Sequence, residues 1–512
     1  MTNWMERMGL ALAATGTVLG LAVAPLKAQN SSSVATGKKP NVVFILADNV
    51  GYGDLGPYGG GELRGYPTPR SDQLAREGLR LTQFLVEPSC TPSRSALMTG
   101  QYSIRNGLSL ATIPGTPNTL SGNAYTMGQL FKDAGYATAI FGKWHLGRDP
   151  QSLPSAHGFD EFYGIPPDTS WNDAVTVSLI TQTHSLDVPE SVLIEKGPWI
   201  MEQKAGGPLQ RVKPFTPEVR AEIDNELTER SIAFMKQQAA AGKPFFLYLP
   251  FSMGHAPNYP SKQFAGKSRI GIYGDKMMEG DYHVGQVLDT LKELKIEDNT
   301  IVVFASDNGP WGWSGKDFGE LGAPDMGSPG PFRGELGEAT EGSIRTFCFI
   351  RWPGHIAPNI TSYAMFSIMD FLPTFAAILG RQLPTDRPID GVDQTAVLLG
   401  KSQMGARESL LTFSGPDLVA ARWKQWRIYF KEMHYTGTGQ EKLGDIYIGN
   451  SGLYYPQVYN IEMDPHEDLQ VGGYHFWPLE FVFKTVKEYQ ESLKKYPNPP
   501  AVNFTNFSGS PD

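Results

Sequence analysis

Short, unbroken runs of apolar residues recur along the chain, and polar side chains follow each of them. Residues Asn41–Ala47 read NVVFILA, and residues Thr300–Ser306 read TIVVFAS. Runs of this length, rich in β-branched and aromatic residues, are typical of strands that are buried on both faces. Two further runs, Ala137–Phe141 and Phe245–Leu249, have the same character. The pattern therefore predicts at least four buried strands.

Segments with a helical spacing of apolar residues lie between and beside these runs. They are Pro69–Arg76, Thr126–Asp133, Asp224–Ala240 and Tyr282–Leu294. Strands that alternate with helices predict an α/β fold, with a large mixed, mostly parallel sheet flanked by helices. Ligands of such sheets bind beyond the carboxyl ends of the strands, so we expect the functional side chains there.

The pattern changes near residue 395. Leu418–Tyr429 and Gln457–Ile461 predict antiparallel strands, and Phe481–Tyr496 predicts a helix. We therefore expect an α/β domain over residues 29–395 and a small C-terminal subdomain, an antiparallel sheet with a helix, over residues 396–512.

The first 28 residues have the pattern of a secretory signal. Arg7 precedes the apolar stretch Met8–Val23, and Ala28 completes a small-residue cleavage site. The stretch is short and rich in Ala, Gly and Thr, which favours a cleaved signal over a retained anchor. The prediction is a secreted or periplasmic protein with no stable membrane insertion.

Composition narrows the possible partners. The 512 residues include 44 basic and 53 acidic side chains, for a net charge of −9, which argues against a basic nucleic-acid-binding surface. The chain has two cysteines, Cys90 and Cys348. Cys348 lies in the apolar run Thr346–Ile350, so we expect it in the core.

Cys90 stands in a different context, the run C-T-P-S-R. Pro92 suits the first turn of a helix, so Cys90 is expected at a helix N-terminus, where free N–H groups favour an anion. Arg94 adds a forked cation suited to a tetrahedral oxyanion.

Two predicted strands end in a carboxylate–amide pair, Asp48-Asn49 and Asp307-Asn308. Such hard oxygen ligands suit Ca²⁺ or Mg²⁺. Two other strands lead to Lys143 with His145 and to His255, which places all of these groups at one predicted edge.

Three stretches carry a family resemblance. Residues 90–94, followed by Thr99-Gly100, resemble the C-x-P-S-R signature of the type I, formylglycine-dependent sulfatases of the alkaline-phosphatase superfamily. Residues 135–147, GYATAIFGKWHLG, resemble their G-Y-x-T-x-x-x-G-K-x-H-L-G element, and residues 458–465 their L-Y-N-L-x-x-D-P element. The resemblance extends from about Pro40 to Pro465.

This resemblance implies a chemistry. Cys90 would be oxidised by a formylglycine-generating enzyme, and the hydrated aldehyde would be the nucleophile that takes the sulfuryl group. Arg94 would hold the oxygen of residue 90, and Asp307 would act as its base.

The resemblance also implies roles for the other polar groups. Lys143 would contact the sulfuryl group, and His145 would assist the hydrate and later the breakdown of the sulfated intermediate. His255 would bind the bridging oxygen and protonate the leaving group. Ca²⁺, with Mg²⁺ as the alternative, would be held by Asp48, Asn49, Asp307, Asn308 and residue 90.

Two positions depart from the family pattern. Asn49 stands where most members have Asp, and Leu336, in the run Arg333–Ser343, stands where most have Lys. One negative and one positive charge are both absent, which indicates a coordinated variation that preserves the net charge of the site. The missing cation favours substrates with acidic leaving groups, such as aryl sulfates.

Three functions are consistent with these residues. The first is a sulfatase acting on an aryl sulfate or a sulfated carbohydrate, with Trp311 and Trp313 available to stack on a ring. The alternatives are a phosphonate monoester or phosphodiester hydrolase on the same scaffold, and a non-catalytic protein that binds sulfated glycans.

Overall fold

The computed structural model describes residues 38–112, 116–165, 167, 169, 171, 197–256, 258–311, 327–435, 446–449 and 455–500. The predicted signal segment and Trp313 lie outside these residues.

An eleven-stranded sheet forms the centre of the described structure. Its strands are β1 (Asn41–Ala47), β2 (Leu79–Leu85), β3 (Ala137–Phe141), β4 (Glu161–Gly164), β5 (Trp199–Lys204), β6 (Gln210–Pro214), β7 (Phe245–Pro250), β8 (Thr300–Ser306), β9 (Arg345–Thr346), β10 (Cys348–Arg351) and β11 (Ile360–Ser367). They are ordered β11-β2-β10-β8-β1-β7-β3-β4-β5-β6, and β9 pairs with β2. The central strands from β8 to β4 are parallel, and β10 and β5 flank them in antiparallel pairs. The predicted α/β fold class is confirmed.

The described residues form nine α-helices, and helices cover both faces of the large sheet. They are α1 (Pro69–Glu77), α2 (Cys90–Thr99), α3 (Met127–Asp133), α4 (Pro217–Ala240), α5 (Ile272–Glu293), α6 (Glu341–Ile344), α7 (Phe371–Ile378), α8 (Thr395–Leu398) and α9 (Pro478–Lys495). Phe44 of β1 belongs to one hydrophobic cluster, with residues of α2, α3 and α7. Its neighbours Val43 and Ile45 belong to a second cluster, with residues of α1, α4 and α5. Alternate side chains of β1 thus enter two cores, which is why the strand is apolar throughout.

Two helices begin earlier than their apolar pattern predicts. The helix predicted from Asp224 starts at Pro217, where the Thr216 side chain accepts a hydrogen bond from the Val219 N–H. A Thr N-cap followed by Pro is a start signal that the apolar spacing alone does not contain. The helix predicted from Tyr282 starts at Ile272. Within the described residues, none of the helices has the length and apolar composition that crossing a bilayer requires.

The predicted antiparallel sheet with a helix is present near the C-terminus. Its strands are β12 (Ser409–Ser414), β13 (Asp417–Trp423), β14 (Trp426–Tyr429) and β17 (Gln457–Asn460), and β15 (Glu432–Tyr435) pairs with β16 (Ile446–Gly449) in a separate ribbon. Helix α9 packs onto this sheet. The boundary at residue 395 falls at the start of α8 and stays a prediction. Cys348 begins β10 and is fully buried, as expected of a core residue.

Buried charges join the small sheet to the large domain. Arg422 of β13 donates from Nη1 to Glu341 Oε1 of α6 at 2.6 Å, and neither side chain is exposed. Arg427 of β14 donates to the Ala339 carbonyl, and Glu467 accepts the Glu341 N–H at 3.2 Å. The segment that follows β8 is therefore held in place by the C-terminal sheet.

We predict that Glu341→Gln lowers the free energy of unfolding by about 3 kcal/mol, because it leaves the Arg422 guanidinium buried without a counterion. Urea unfolding of the variant and the wild type measures the change. Glu408→Gln is the matched control, since Glu408 pairs with Lys424 at the surface and exposed pairs contribute at most about 1 kcal/mol. Equal losses in the two variants would contradict the assignment.

Candidate active site

Cys90 lies where the sequence predicts, at the first residue of α2. Ser89 before it is extended, with φ −154° and ψ 172°, and all ten residues of α2 are buried. The Cys90 Sγ is 3.5 Å from Asp48 Oδ1 and 3.7 Å from Asn49 Oδ1. Burial and the nearby Asp48 carboxylate raise the pKa of the Cys90 thiol well above its usual range, so the unmodified thiol is neutral and a poor nucleophile.

The two carboxylate–amide pairs meet at the edge of the sheet. Strands β1 and β8 are parallel neighbours with Ala47 opposite Ser306, so the residues that follow each strand lie side by side. The Asn49 N–H donates to Asp307 Oδ1 at 3.2 Å, and Asn308 Nδ2 donates to Asn49 Oδ1 at 2.6 Å. Asn49 adopts a φ of 58°, a left-handed conformation that asparagine tolerates better than most residues.

Arg94 connects the two carboxylates. It donates to Asp307 Oδ2 from Nε at 3.1 Å and from Nη2 at 2.7 Å, and Nη2 also lies 3.1 Å from Asp48 Oδ2. Lys143 Nζ donates to the same Asp48 oxygen at 2.8 Å. The Arg94, Lys143, Asp48 and Asp307 side chains are at most 1% exposed. Two cations therefore balance two carboxylates in a water-poor site.

The two carboxylates differ in their proton affinity. Burial raises the pKa of Asp48, but Lys143, His255 and Arg94 outweigh it and hold that pKa well below the usual range. Burial and the neighbouring Asp48 charge raise the pKa of Asp307 to about 6. Asp48 is thus a permanent anion, and Asp307 is the carboxylate with the tendency to accept a proton.

His145 is buried in a strained backbone position. Its φ is 60°, and Nε2 lies 2.9 Å from the Thr112 carbonyl oxygen. A carbonyl only accepts, so Nε2 carries the proton, and the buried Nδ1, which has no hydrogen-bond partner, carries the lone pair. Burial and then Lys143 lower the pKa of His145 well below its usual value, so the ring is a neutral base.

His255 completes the group. Its Nδ1 donates to the Ala256 carbonyl at 2.8 Å, which leaves Nε2 free to act on a bound molecule. One ligand atom each from Asp48, Cys90 and His255 lies within 4.8 Å of the others. Burial lowers the pKa of His255 to about 3, and its ring centroid is 5.5 Å from that of Trp311.

The donor set fits a hard divalent cation. Asp48, Asn49, Asp307 and Asn308 together offer carboxylate and amide oxygens, the ligand type of Ca²⁺ and Mg²⁺. Asn308 Oδ1 is buried and accepts no hydrogen bond. A buried oxygen without a donor is costly unless a cation or water satisfies it, so this atom is a natural metal ligand.

The structure brings together all nine residues predicted for the site. It adds three that the sequence reasoning missed, Tyr248, Thr91 and Thr112. Tyr248 lies with its hydroxyl oxygen 3.4 Å from Arg94 Nη1, and Thr91 donates from Oγ1 to the His145 carbonyl and accepts the Thr112 N–H, both at 3.1 Å. The sequence did contain a sign that Tyr248 has a polar contact, because Tyr248 is the one side chain with a polar atom in the buried strand FFLYLP.

The Leu336 backbone contacts the loop that follows Asn308. Its N–H donates to the Pro310 carbonyl at 2.9 Å, and the Gly337 N–H donates to the Pro88 carbonyl at 2.8 Å. The run that departs from the family pattern is therefore tied to the loop before Cys90 and to the loop after Asn308.

Comparisons with known proteins identify the family of the chain. A family model described as Sulfatase matches residues 40–381. Steryl-sulfatase of Mus musculus is 33% identical over 452 residues, covering 78% of this chain and 71% of the relative, and N-acetylgalactosamine-6-sulfatase of Canis lupus familiaris is 34% identical over 456 residues, covering 84% and 76%. The crystal structure of the PsFucS1 sulfatase from Pseudoalteromonas sp. matches with a TM-score of 0.82 at 33% identity, over 90% of this chain and 92% of that one. With a family match over more than half of its length and relatives of this similarity, the chain belongs to the sulfatase family and is a sulfuric ester hydrolase.

Proposed function

We propose that the protein is a secreted or periplasmic sulfatase that attacks aryl sulfates or sulfated carbohydrates with a hydrated formylglycine at position 90. The observation that supports this most is the arrangement around Cys90. Asp48 lies 3.5 Å from its sulfur, Lys143 binds Asp48 at 2.8 Å, and Arg94 bridges Asp48 to Asp307. Two fixed cationic side chains, Arg94 and Lys143, thus lie next to the nucleophile position, where a sulfate ester would bind.

Two groups would supply chemistry that the unmodified side chains lack. The hydrated aldehyde made from Cys90 by a formylglycine-generating enzyme supplies a hydroxyl nucleophile. A divalent cation, with Ca²⁺ expected before Mg²⁺, supplies charge that offsets the negative sulfate. Asp48, Asn49, Asp307 and Asn308 would hold the cation together with residue 90.

The remaining side chains would move protons and hold the substrate. Asp307, with its raised pKa, would accept the proton of the attacking hydroxyl, while Arg94 keeps its carboxylate in place. Lys143 would bind a sulfate oxygen. His145 would use its free Nδ1 as the base in the second half of the reaction.

His255 would protonate the bridging oxygen from Nε2. In the free protein its low pKa makes the ring neutral, because it is buried and lies near Lys143. A bound sulfate ester adds a negative charge beside the ring and so favours its protonated form. A bound sulfate ester would therefore raise the pKa of His255 toward the range in which the ring can act as an acid.

The surroundings of His255 support the proposed substrate class. The Trp311 ring centroid is 5.5 Å from that of His255, and its indole would contact a ring-bearing leaving group. Because Leu336 supplies no cation, an acidic leaving group would be favoured, which points to aryl sulfates within the broader class of sulfated small molecules or polysaccharides.

The first prediction is that the protein, made with a formylglycine-generating enzyme, carries an aldehyde in the tryptic peptide Leu81–Arg94 and hydrolyses 4-nitrophenyl sulfate with release of inorganic sulfate. Mass spectrometry of the peptide and a sulfate assay measure the two results. Cys90→Ala, which cannot form the aldehyde, is expected to be inactive because it lacks the nucleophile.

The matched phosphate and phosphonate esters are the control for this prediction. A higher kcat/KM for 4-nitrophenyl phosphate or a phenylphosphonate monoester would support the phosphonate monoester or phosphodiester hydrolase instead. An active protein with an unmodified thiol at residue 90 would contradict the nucleophile assignment.

The second prediction concerns the cation. Removing the Asn308 amide oxygen in Asn308→Ala should weaken Ca²⁺ binding to the metal-depleted protein by about tenfold or more, ~1.4 kcal/mol, because one hard ligand is lost. Isothermal titration calorimetry measures the affinity without an activity assay. Asn299→Ala, at the opposite end of β8, is the control and should bind Ca²⁺ as the wild type does. An unchanged affinity in Asn308→Ala would remove this residue from the metal site.

The third prediction concerns the family's missing lysine. Leu336→Lys should not raise kcat/KM for an aryl sulfate, because the buried cations and carboxylates of the site are already balanced. The paired change Asn49→Asp with Leu336→Lys restores the balance and should retain more activity than Leu336→Lys alone. A clear rise in turnover for the single variant would refute the idea of a coordinated exchange.

A further inference from the structure

Ionisable side chains are buried beneath the loop that carries His255, and the mechanism above does not use them. They are Arg220 and Asp224 of α4 and Lys276, Glu279 and His283 of α5, each at most 1% exposed. Buried ion pairs contribute little net stability compared with apolar residues of similar size. A group of this size beside a reactive loop therefore calls for another explanation.

Both carboxylate oxygens of Asp224 accept hydrogen bonds from one residue of that loop, Ser252. Oδ1 accepts the Ser252 N–H at 2.8 Å, and Oδ2 accepts the Ser252 hydroxyl at 2.9 Å. Lys276 Nζ lies 3.0 Å from Oδ2 and supplies the counterion. Burial raises the pKa of Asp224, but Lys276 and the Ser252 bonds hold it below the usual range, so the acceptor is an anion. Two bonds from one residue to one carboxylate fix both the position and the direction of Ser252.

Ser252 and His255 are the two ends of one tight turn. The His255 N–H donates to the Ser252 carbonyl at 3.2 Å, and Gly254 between them has a φ of 92°. Arg220 Nη2 donates to the His255 carbonyl at 2.7 Å. Helix α4 therefore holds both ends of the turn, one through Asp224 and the other through Arg220.

The turn from Ser252 to His255 packs closely against its neighbours. A Cβ on Gly280 of α5 would lie 2.1 Å from the Met253 Sδ, so α5 is in direct contact with the turn. On the other side, the Asp48 N–H donates to the Met253 carbonyl at 3.0 Å. The turn is thus in contact with α5 on one side and with the end of β1 on the other, so a shift of Ser252 is expected to displace the His255 ring relative to Asp48.

We propose that Asp224, acting through Ser252, is a positioning residue that aims the His255 imidazole at the bridging oxygen of the substrate. The proposal rests on the proposed role of His255 as the acid. It predicts that the loss of kcat/KM grows as the pKa of the leaving group rises. A leaving group of low pKa departs without a proton, so the position of the acid matters least for it.

The test is kcat/KM for Asp224→Asn and Ser252→Ala over a series of aryl sulfates that differ in the pKa of the leaving phenol. A small misplacement of a catalytic group costs up to about 100-fold. We expect a loss of about tenfold for the least acidic phenol, little loss for the most acidic, and a kcat that falls more than KM rises. Ser231→Ala is the matched control, since Ser231 is buried on the same helix and bonds only its own turn at Leu227.

His255→Ala in the same series separates the two claims. One outcome is that the kcat/KM of His255→Ala depends steeply on the pKa of the leaving phenol while Asp224→Asn and Ser252→Ala show a uniform loss or no loss. That result would overturn the positioning role and leave the proposed acid intact. A flat dependence in His255→Ala would overturn the acid, and the positioning role with it. If Asp224→Asn does not fold, Ser252→Ala alone decides, because it removes one of the two bonds and leaves the Asp224–Lys276 pair in place.

Discussion

The arrangement of the site depends on one buried carboxylate. Asp48 has no exposed surface, and its oxygens meet Lys143, Arg94 and the sulfur of Cys90. A lone carboxylate in such a place would be strongly disfavoured, so the two cations are required wherever Asp48 is. The same pairing makes Asp48 a permanent anion and leaves Asp307 as the carboxylate with the raised pKa. One ion-pair network thus separates the properties of two chemically identical groups.

The sheet supplies the positions that this network needs. Parallel pairing of β1 with β8 and with β7, and of β7 with β3, places four strand ends at one edge. The loops after these strands carry Asp48, Asp307, His255 and Lys143, and α2 brings Cys90 to the same edge. Space there is limited: a Cβ on Gly254 would lie 2.5 Å from the Asp48 carbonyl oxygen. The glycine permits both the left-handed turn and the close approach of two loops.

Charged groups outside the site determine where its loops lie. The C-terminal sheet holds the segment after β8 through Arg422 and Glu341, and helices α4 and α5 hold the His255 turn through Asp224 and Lys276. In both places an ionic contact fixes a direction that apolar packing alone would leave less defined. The small sheet is therefore part of the architecture of the site, although it contributes none of the residues predicted for it.

The sequence by itself determined the fold class, the central buried strands and the family. Apolar runs marked the buried strands, Pro92 marked the start of α2 at Cys90, and the spaced motifs indicated a sulfatase, because these signals are local. The contacts of Arg94 with Asp48 and Asp307 join residues 46 and 213 positions apart, and no local pattern encodes them. The same holds for Tyr248 beside Arg94 and for the bond from Asp224 to Ser252. Only the tertiary structure decided these pairings, because the pKa of a buried group and the direction of a catalytic ring depend on neighbours that the fold, and not the chain, places beside it.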